Sequence, residues 1–179
     1  MNRVEVNLAG LTGESWHDRT VPFVKAVLER LGRRGWDLSL LFCDRAYIQS
    51  LNARYRNRDE PTDVLSFALG RPPENGAPGR PFGPSAGAGG RFTAGDIVIC
   101  PEEAWENAAY FKVPPGEELR RLLIHGILHL DGMDHAGKLA GEGEGSAPPE
   151  PAPVDPMLVL QEELVKEFAD MRVLDEEDR

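Results

Sequence analysis

Three of the chain's four histidines, His125, His129 and His135, fall within eleven residues. His125 and His129 stand four apart, so on a helix they project from one face about one turn from each other. At that spacing two imidazole nitrogens can hold one cation at about 2.0–2.1 Å. Gly132 ends such a helix and turns the chain back, which lets His135 approach from a third direction. Three protein nitrogens leave the fourth position of a tetrahedral ion open, the arrangement of a catalytic site rather than a closed structural one. A polar helix face that holds no ion is the plainer alternative for the same residues.

The pattern is close to HExxH, in which a Glu after the first His serves as general base. Here that position is Gly126, so a peptidase reading lacks its base. A glycine instead leaves room for another backbone or a substrate to come close. A divalent metal then carries more of the work, as a Lewis acid toward water or toward a carbonyl or phosphoryl oxygen, and both routes suit hydrolysis. Asp131 and Asp134 flank Gly132 and either orient an imidazole N–H or cap the turn.

A second segment, NARYRNRDEPTDVLSF at 52–67, sets Arg54, Arg56 and Arg58 beside Tyr55 in an otherwise acidic chain. Guanidinium forks match phosphate oxygens, and an Arg near a metal stabilises charge on a transferring phosphoryl group. As a bare run of charges, the same residues would form a solvated face.

The elements that must position these groups follow from periodicity. Residues 4–10 alternate as a short strand, and Val21, Val24, Val27, Leu28 and Leu31 form a helical stripe ending at Gly32. Residues 36–43, WDLSLLFC, form a strand. Asp44 caps a helix whose apolar face would use Ala46, Tyr47, Leu51 and Tyr55. Strands follow at TDVLSFAL and at GDIVIC, and Pro101 opens a helix with Glu102 and Glu103 at its positive end. Leu119, Leu122, Leu123, Gly126, Ile127 and Leu130 share the face of the helix that carries the histidines. Leu158, Gln161, Leu164, Val165 and Phe168 mark a last one. These residues predict an α+β, mixed α/β single domain: about four strands in one mixed sheet packed with about five helices, the metal site on a helix and the turn after it.

With 179 residues the chain is about one domain long. Its 34 Gly and Pro residues concentrate in two segments, read as flexible insertions at 70–91 and 136–156, and an acidic tail covers 173–179. The net charge of −10 gathers largely in the C-terminal stretch and the second segment. It therefore excludes a polybasic coat and is a weak argument against a nucleic-acid partner. Cys43 and Cys100 each end an apolar run and are expected to be buried free thiols. No secretory leader and no membrane-length apolar run is visible, so the expectation is a cytoplasmic protein with no membrane partner.

Residues 125–135, HGILHLDGMDH, resemble the HGxLHLxGYDH signature of the YbeY family of metal-dependent endoribonucleases and ribosomal-RNA maturation factors. YRNRDEPTDVLSF at 55–67 resembles the family's YRxxDxPTDVLSF segment, GDIVIC its GDIVI strand, and MLVLQEEL at 157–164 its closing helix. Met133 stands where the family often has Tyr, and Ala68 where Pro is common; neither is expected to touch a ligand. The resemblance implies a four-stranded mixed fold and one divalent ion, zinc by preference, on His125, His129 and His135. It also implies Arg56 as a catalytic residue near RNA; Arg54 and Arg58, from the guanidinium cluster itself, are expected in substrate binding. The implied activity is hydrolysis of single-stranded RNA in ribosomal-RNA maturation and ribosome quality control, with ribosomal-RNA precursors, the small ribosomal subunit and assembly factors as partners. A non-catalytic assembly factor with a structural metal and a metallopeptidase stand as alternatives, and the donor set alone does not choose the metal.

Overall fold

The computed structural model describes residues 1–11, 15–71, 80–81, 91–135 and 154–174. In chain order the elements are β1 (Arg3–Ala9), a 3-10 turn (Ser15–Arg19), α1 (Thr20–Arg30), β2 (Trp36–Cys43), α2 (Arg45–Arg56), β3 (Val64–Ala68), β4 (Gly70–Arg71), β5 (Arg80–Pro81), β6 (Phe92–Ile99), α3 (Pro101–Phe111), α4 (Pro115–Leu130) and α5 (Pro156–Glu167). The main sheet has the order β1-β2-β6-β3, with β1, β2 and β6 parallel and β3 antiparallel at the edge. Among the described residues this gives the expected four-stranded mixed sheet with five α-helices. Of the first Gly/Pro-rich segment, residues 70–71 and 80–81 pair as a two-residue ladder. Residues 72–79, 82–90, 136–153 and 175–179, which hold most of both expected insertions and of the acidic tail, lie outside the described residues.

Period-two alternation divides the strands between two cores. Leu38, Leu40 and Phe42 of β2 and Ile97 and Ile99 of β6 join α1, α4 and α5 in the larger one. Cys43, Leu65, Val98 and Cys100 turn the other way and pack with Ile48 of α2. Both cysteines are buried free thiols, as expected.

Helix α2 is turned relative to the expected face. Its buried residues are Ile48 and Asn52, whereas Tyr47 and Tyr55 are 41% and 55% exposed and Ala46 is exposed. Ile48 enters the smaller core, and Asn52 is buried because its amide donates to Glu60 O at 2.8 Å and holds the loop into β3. Leu51 is partly buried and packs against the smaller core, as expected, and with Tyr55 it borders an open groove over the sheet. The cap was legible: the Asp44 carboxylate accepts from Tyr47 N at 2.8 Å.

Helix α4 is held by packing. Leu119, Leu122, Leu123, Ile124, Ile127, Leu128 and Leu130 are all buried. At about 1.5–3 kcal/mol per buried side chain, that is on the order of 10–20 kcal/mol gross, against about 1 kcal/mol of helix propensity lost at Gly126. Gly126 is where α4 meets the sheet: a Cβ there would lie 2.8 Å from Cδ1 and Cγ2 of Ile97. The room a glycine leaves is thus filled by β6, with no space for a substrate. At Gly95, φ is +140° and a Cβ would lie 2.0 Å from Phe67 O, so only glycine lets β3 come alongside the β6 irregularity.

Candidate metal centre

The last two turns of α4 and the turn after it bring the three histidines together. One ring nitrogen from each of His125, His129 and His135 lies within 4.8 Å of the other two. The turn forms as the sequence suggests: Gly132 adopts φ +87°, its N–H donates to His129 O, and Met133 N donates to Leu128 O.

The inner and outer nitrogens of these rings face different partners. His125 Nδ1 meets Gln161 Oε1 at 2.9 Å, His129 Nδ1 meets the Met133 carbonyl at 3.1 Å, and His135 Nδ1 meets Asp155 Oδ2 at 2.8 Å. All three partners are acceptors, which places the proton on Nδ1 and leaves the Nε2 lone pair bare. His125 Nε2 and His129 Nε2 then face each other at 3.1 Å with no hydrogen between them. Two bare lone pairs at that distance repel unless a cation sits against both, and a tetrahedral ion with bonds of about 2.05 Å would set them roughly 3.3–3.4 Å apart. The donor set therefore fits a divalent metal. Burial pushes the His125 and His129 imidazolium pKa values down, against the Gln161 and Met133 hydrogen bonds, and each ring is further disfavoured as a cation by its histidine neighbours. Neutral rings are the form that ligates.

The outer partners correct the sequence reading. Asp131 turns away to Arg33, with Oδ1 at 2.5 Å from Nε, and Asp134 accepts from His135 N at 2.8 Å, a turn cap. The residues that orient the rings are Gln161, Asp155 and the Met133 backbone. Met133 does touch a candidate ligand, contrary to expectation, but through a carbonyl that any residue supplies. Asp155 was signalled by its place before Pro156: Oδ1 caps α5 by accepting from Met157 N at 2.9 Å while Oδ2 reaches His135. Hydrogen bonding to His135 holds the Asp155 carboxyl below the usual range. Gln161 was signalled as the one polar member of the apolar α5 stripe.

The face where the three histidines meet opens into a cleft of about 470 Å³ lined by them, Arg56, the 132–134 turn, and Val64, Ser66 and Ala68 of β3. Alternation puts these three β3 residues on the cleft side of the edge strand. Ala68 thus lines the cleft too. Arg56 sits at the last turn of α2, and Asn57 ends that helix with φ +58°. Arg54 and Arg58 are not in that lining: the Arg54 guanidinium lies 5.3 Å from the centroid of the Tyr55 ring, and Arg58 pairs with Glu60 at 3.7 Å on the surface. Asp63 of the same segment is a strut, its carboxylate accepting from Val64 N at 2.7 Å and from Asn107 Nδ2 of α3 at 3.0 Å.

The family model described as Endoribonuclease YbeY matches residues 7–142. The chain is similar to a Treponema denticola protein named Endoribonuclease YbeY, 43% identical over 155 residues, covering 87% of this chain and 85% of the relative. A relative of the same name from Borreliella burgdorferi is 39% identical over 147 residues, with 81% and 82% covered. The solution structure of TM1509 from Thermotoga maritima superposes with a TM-score of 0.52 at 25% identity, covering 92% and 90% of the two chains. With its site geometry and these likenesses together, the chain belongs to the YbeY endoribonuclease family.

Proposed function

We propose that the protein is a metal-dependent endoribonuclease that cleaves phosphodiester bonds in single-stranded RNA. The reading is carried by one observation: three imidazoles with Nδ1 committed to acceptors turn their Nε2 atoms into a cleft that Arg56 also lines. When bound, a divalent cation supplies Lewis acidity toward a phosphoryl oxygen and toward water. The chain's own residues do the rest. His125, His129 and His135 hold the ion. Arg56 presents a guanidinium to the scissile phosphate and offsets charge gathering on its oxygens. Arg54 and Arg58 engage the strand beyond the cleft through its backbone phosphates. Gly126 leaves no helix-borne base, and burial of that position against Ile97 speaks against a peptidase built on this helix.

Zinc suits three imidazoles with a fourth position open. The biological setting we infer is the cytoplasm, with ribosomal-RNA precursors as substrates and the small ribosomal subunit and its assembly factors as partners, in RNA maturation and ribosome quality control. No helix among the described residues is long and apolar enough to cross a membrane.

The test is cleavage of single-stranded RNA by purified protein, with metal content measured on the same preparation, for wild type, His129→Ala and Arg56→Ala. The expected result is cleavage by wild type alone, with metal missing only from His129→Ala. Metal-loaded wild type that leaves precursor RNA intact would replace this reading with a non-catalytic assembly factor.

A further inference from the structure

We propose that Arg121 and Glu162 are positioning residues for the metal centre, acting through Gln161 on the imidazole of His125; the inference rests on the metal-centre reading above. The three outer partners of the histidines are not equivalent. The Met133 carbonyl and the Asp155 carboxylate can only accept, so the tautomers of His129 and His135 are fixed by chemistry alone. Gln161 carries an acceptor at one end of its amide and a donor at the other. Rotated by 180°, it would present NH₂ to the ring, reverse the His125 tautomer, put the proton on Nε2 and remove a ligand.

The structure holds that amide in one sense. Gln161, 5% exposed, donates from Nε2 to Glu162 Oε1 at 3.1 Å, which leaves Oε1 facing His125 Nδ1 at 2.9 Å. Glu162 is in turn fixed by Arg121 Nε at 2.9 Å. Arg121 is anchored within α4 by Glu118 at 2.7 Å and Glu117 at 2.9 Å. Arg121 lies one turn before His125 on α4, so the relay crosses to α5 and returns to the same helix face one turn further on. The Arg121–Glu162 ion pair, partly buried at 21% and 43% side-chain exposure, ties α4 to α5. Here it has a second consequence: it aims a dipole.

The experiment measures zinc affinity by competition with a chromophoric chelator and, on zinc-free protein, the His125 tautomer by ¹⁵N NMR of the side chains. Wild type, Glu162→Leu, Arg121→Met, Gln161→Glu and Gln161→Glu/Glu162→Leu are compared, each checked for folding by circular dichroism. Glu162 is 43% exposed, so Glu162→Leu is the variant that keeps its fold if Arg121→Met does not. The expected result is a loss of about tenfold or more in zinc affinity in Glu162→Leu, with His125 appearing partly as the Nε2–H tautomer. In the Gln161→Glu/Glu162→Leu double variant, whose single carboxylate can only accept, zinc affinity should return at least to the wild-type level and His125 to the tautomer with Nε2 bare. Wild-type zinc binding with Glu162→Leu within twofold and the tautomer unmoved overturns the positioning role and leaves the metal centre standing. A loss in the double variant equal to that in Glu162→Leu also overturns it, because the effect would then be general packing. Wild type that binds no zinc removes the metal centre and this inference with it.

Discussion

Gly126→Ala tests the contact that sets α4, and with it His125 and His129, at its height above the sheet. A methyl group there would lie 2.8 Å from both Cδ1 and Cγ2 of Ile97 and 3.0 Å from Cγ1. Cδ1 is the end of the side chain and can swing away. Cγ2 cannot, because it branches from Cβ and Ile97 is fully buried. Overpacking of this kind costs about 1–3 kcal/mol, while replacing a mid-helix glycine by alanine returns up to about 1 kcal/mol. The net expectation is a destabilisation of about 1 kcal/mol and not more than about 2 kcal/mol. Urea unfolding in the presence of a chelator measures it without a contribution from bound metal. Ile97→Ala removes the opposing carbons, so Gly126→Ala should be less harmful, or stabilising, in that background. A single Gly126→Ala variant that gains the full helix-propensity term would show that β6 yields freely, and would refute the argument that this contact fixes the helix.

Arg33→Met should cost about 2–4 kcal/mol at neutral pH, because it strands Asp131, whose side chain is 9% exposed, without its partner. Adding Asp131→Asn should recover part of that loss in thermal melts, and no recovery would mean the charge is not what matters. Burial, aided by Cys100 and Asp44, pushes the Cys43 thiol up to about 12 from a usual value near 9. The unfolded chain therefore releases this proton first, so the stability from a neutral Cys43 is whole below pH 9 and declines as pH rises toward 12; Cys43→Ala should flatten that slope in unfolding titrations. For His125 and His129 the sign is opposite. Their folded pKa values are lowered, chiefly by burial, so the unfolded state takes up protons first and metal-free protein should lose stability as pH falls through the ordinary histidine range near 6.5. His125→Asn should weaken that dependence, and an unchanged acid limb would contradict the assignment.

Local patterns in the sequence determined most of the elements and the three histidines that cluster. Asp44 names a cap by its position, the α4 leucines name a buried face by their period, and the i, i+4 histidines with a glycine stop converge through helix geometry that needs no distant contact. What required the tertiary structure was everything set by one element meeting another. Asp131 and Asp134 were the nearest acids along the chain, yet the rings are oriented by Asp155 and Gln161, twenty and thirty-six residues from the histidines they meet. The face that α2 buries is set by the sheet and not by the periodicity of its aromatics; Ile48 and Asn52 are buried, and Tyr55 borders an open groove. Gly126 likewise promised space, and only the packing of α4 on β6 shows that Ile97 fills it. Hydrogen-bonding geometry within a helix or turn is fixed over a few residues and can be read from their order. A partner supplied by another helix depends on how two apolar faces settle against one sheet, and that is decided when the whole core packs.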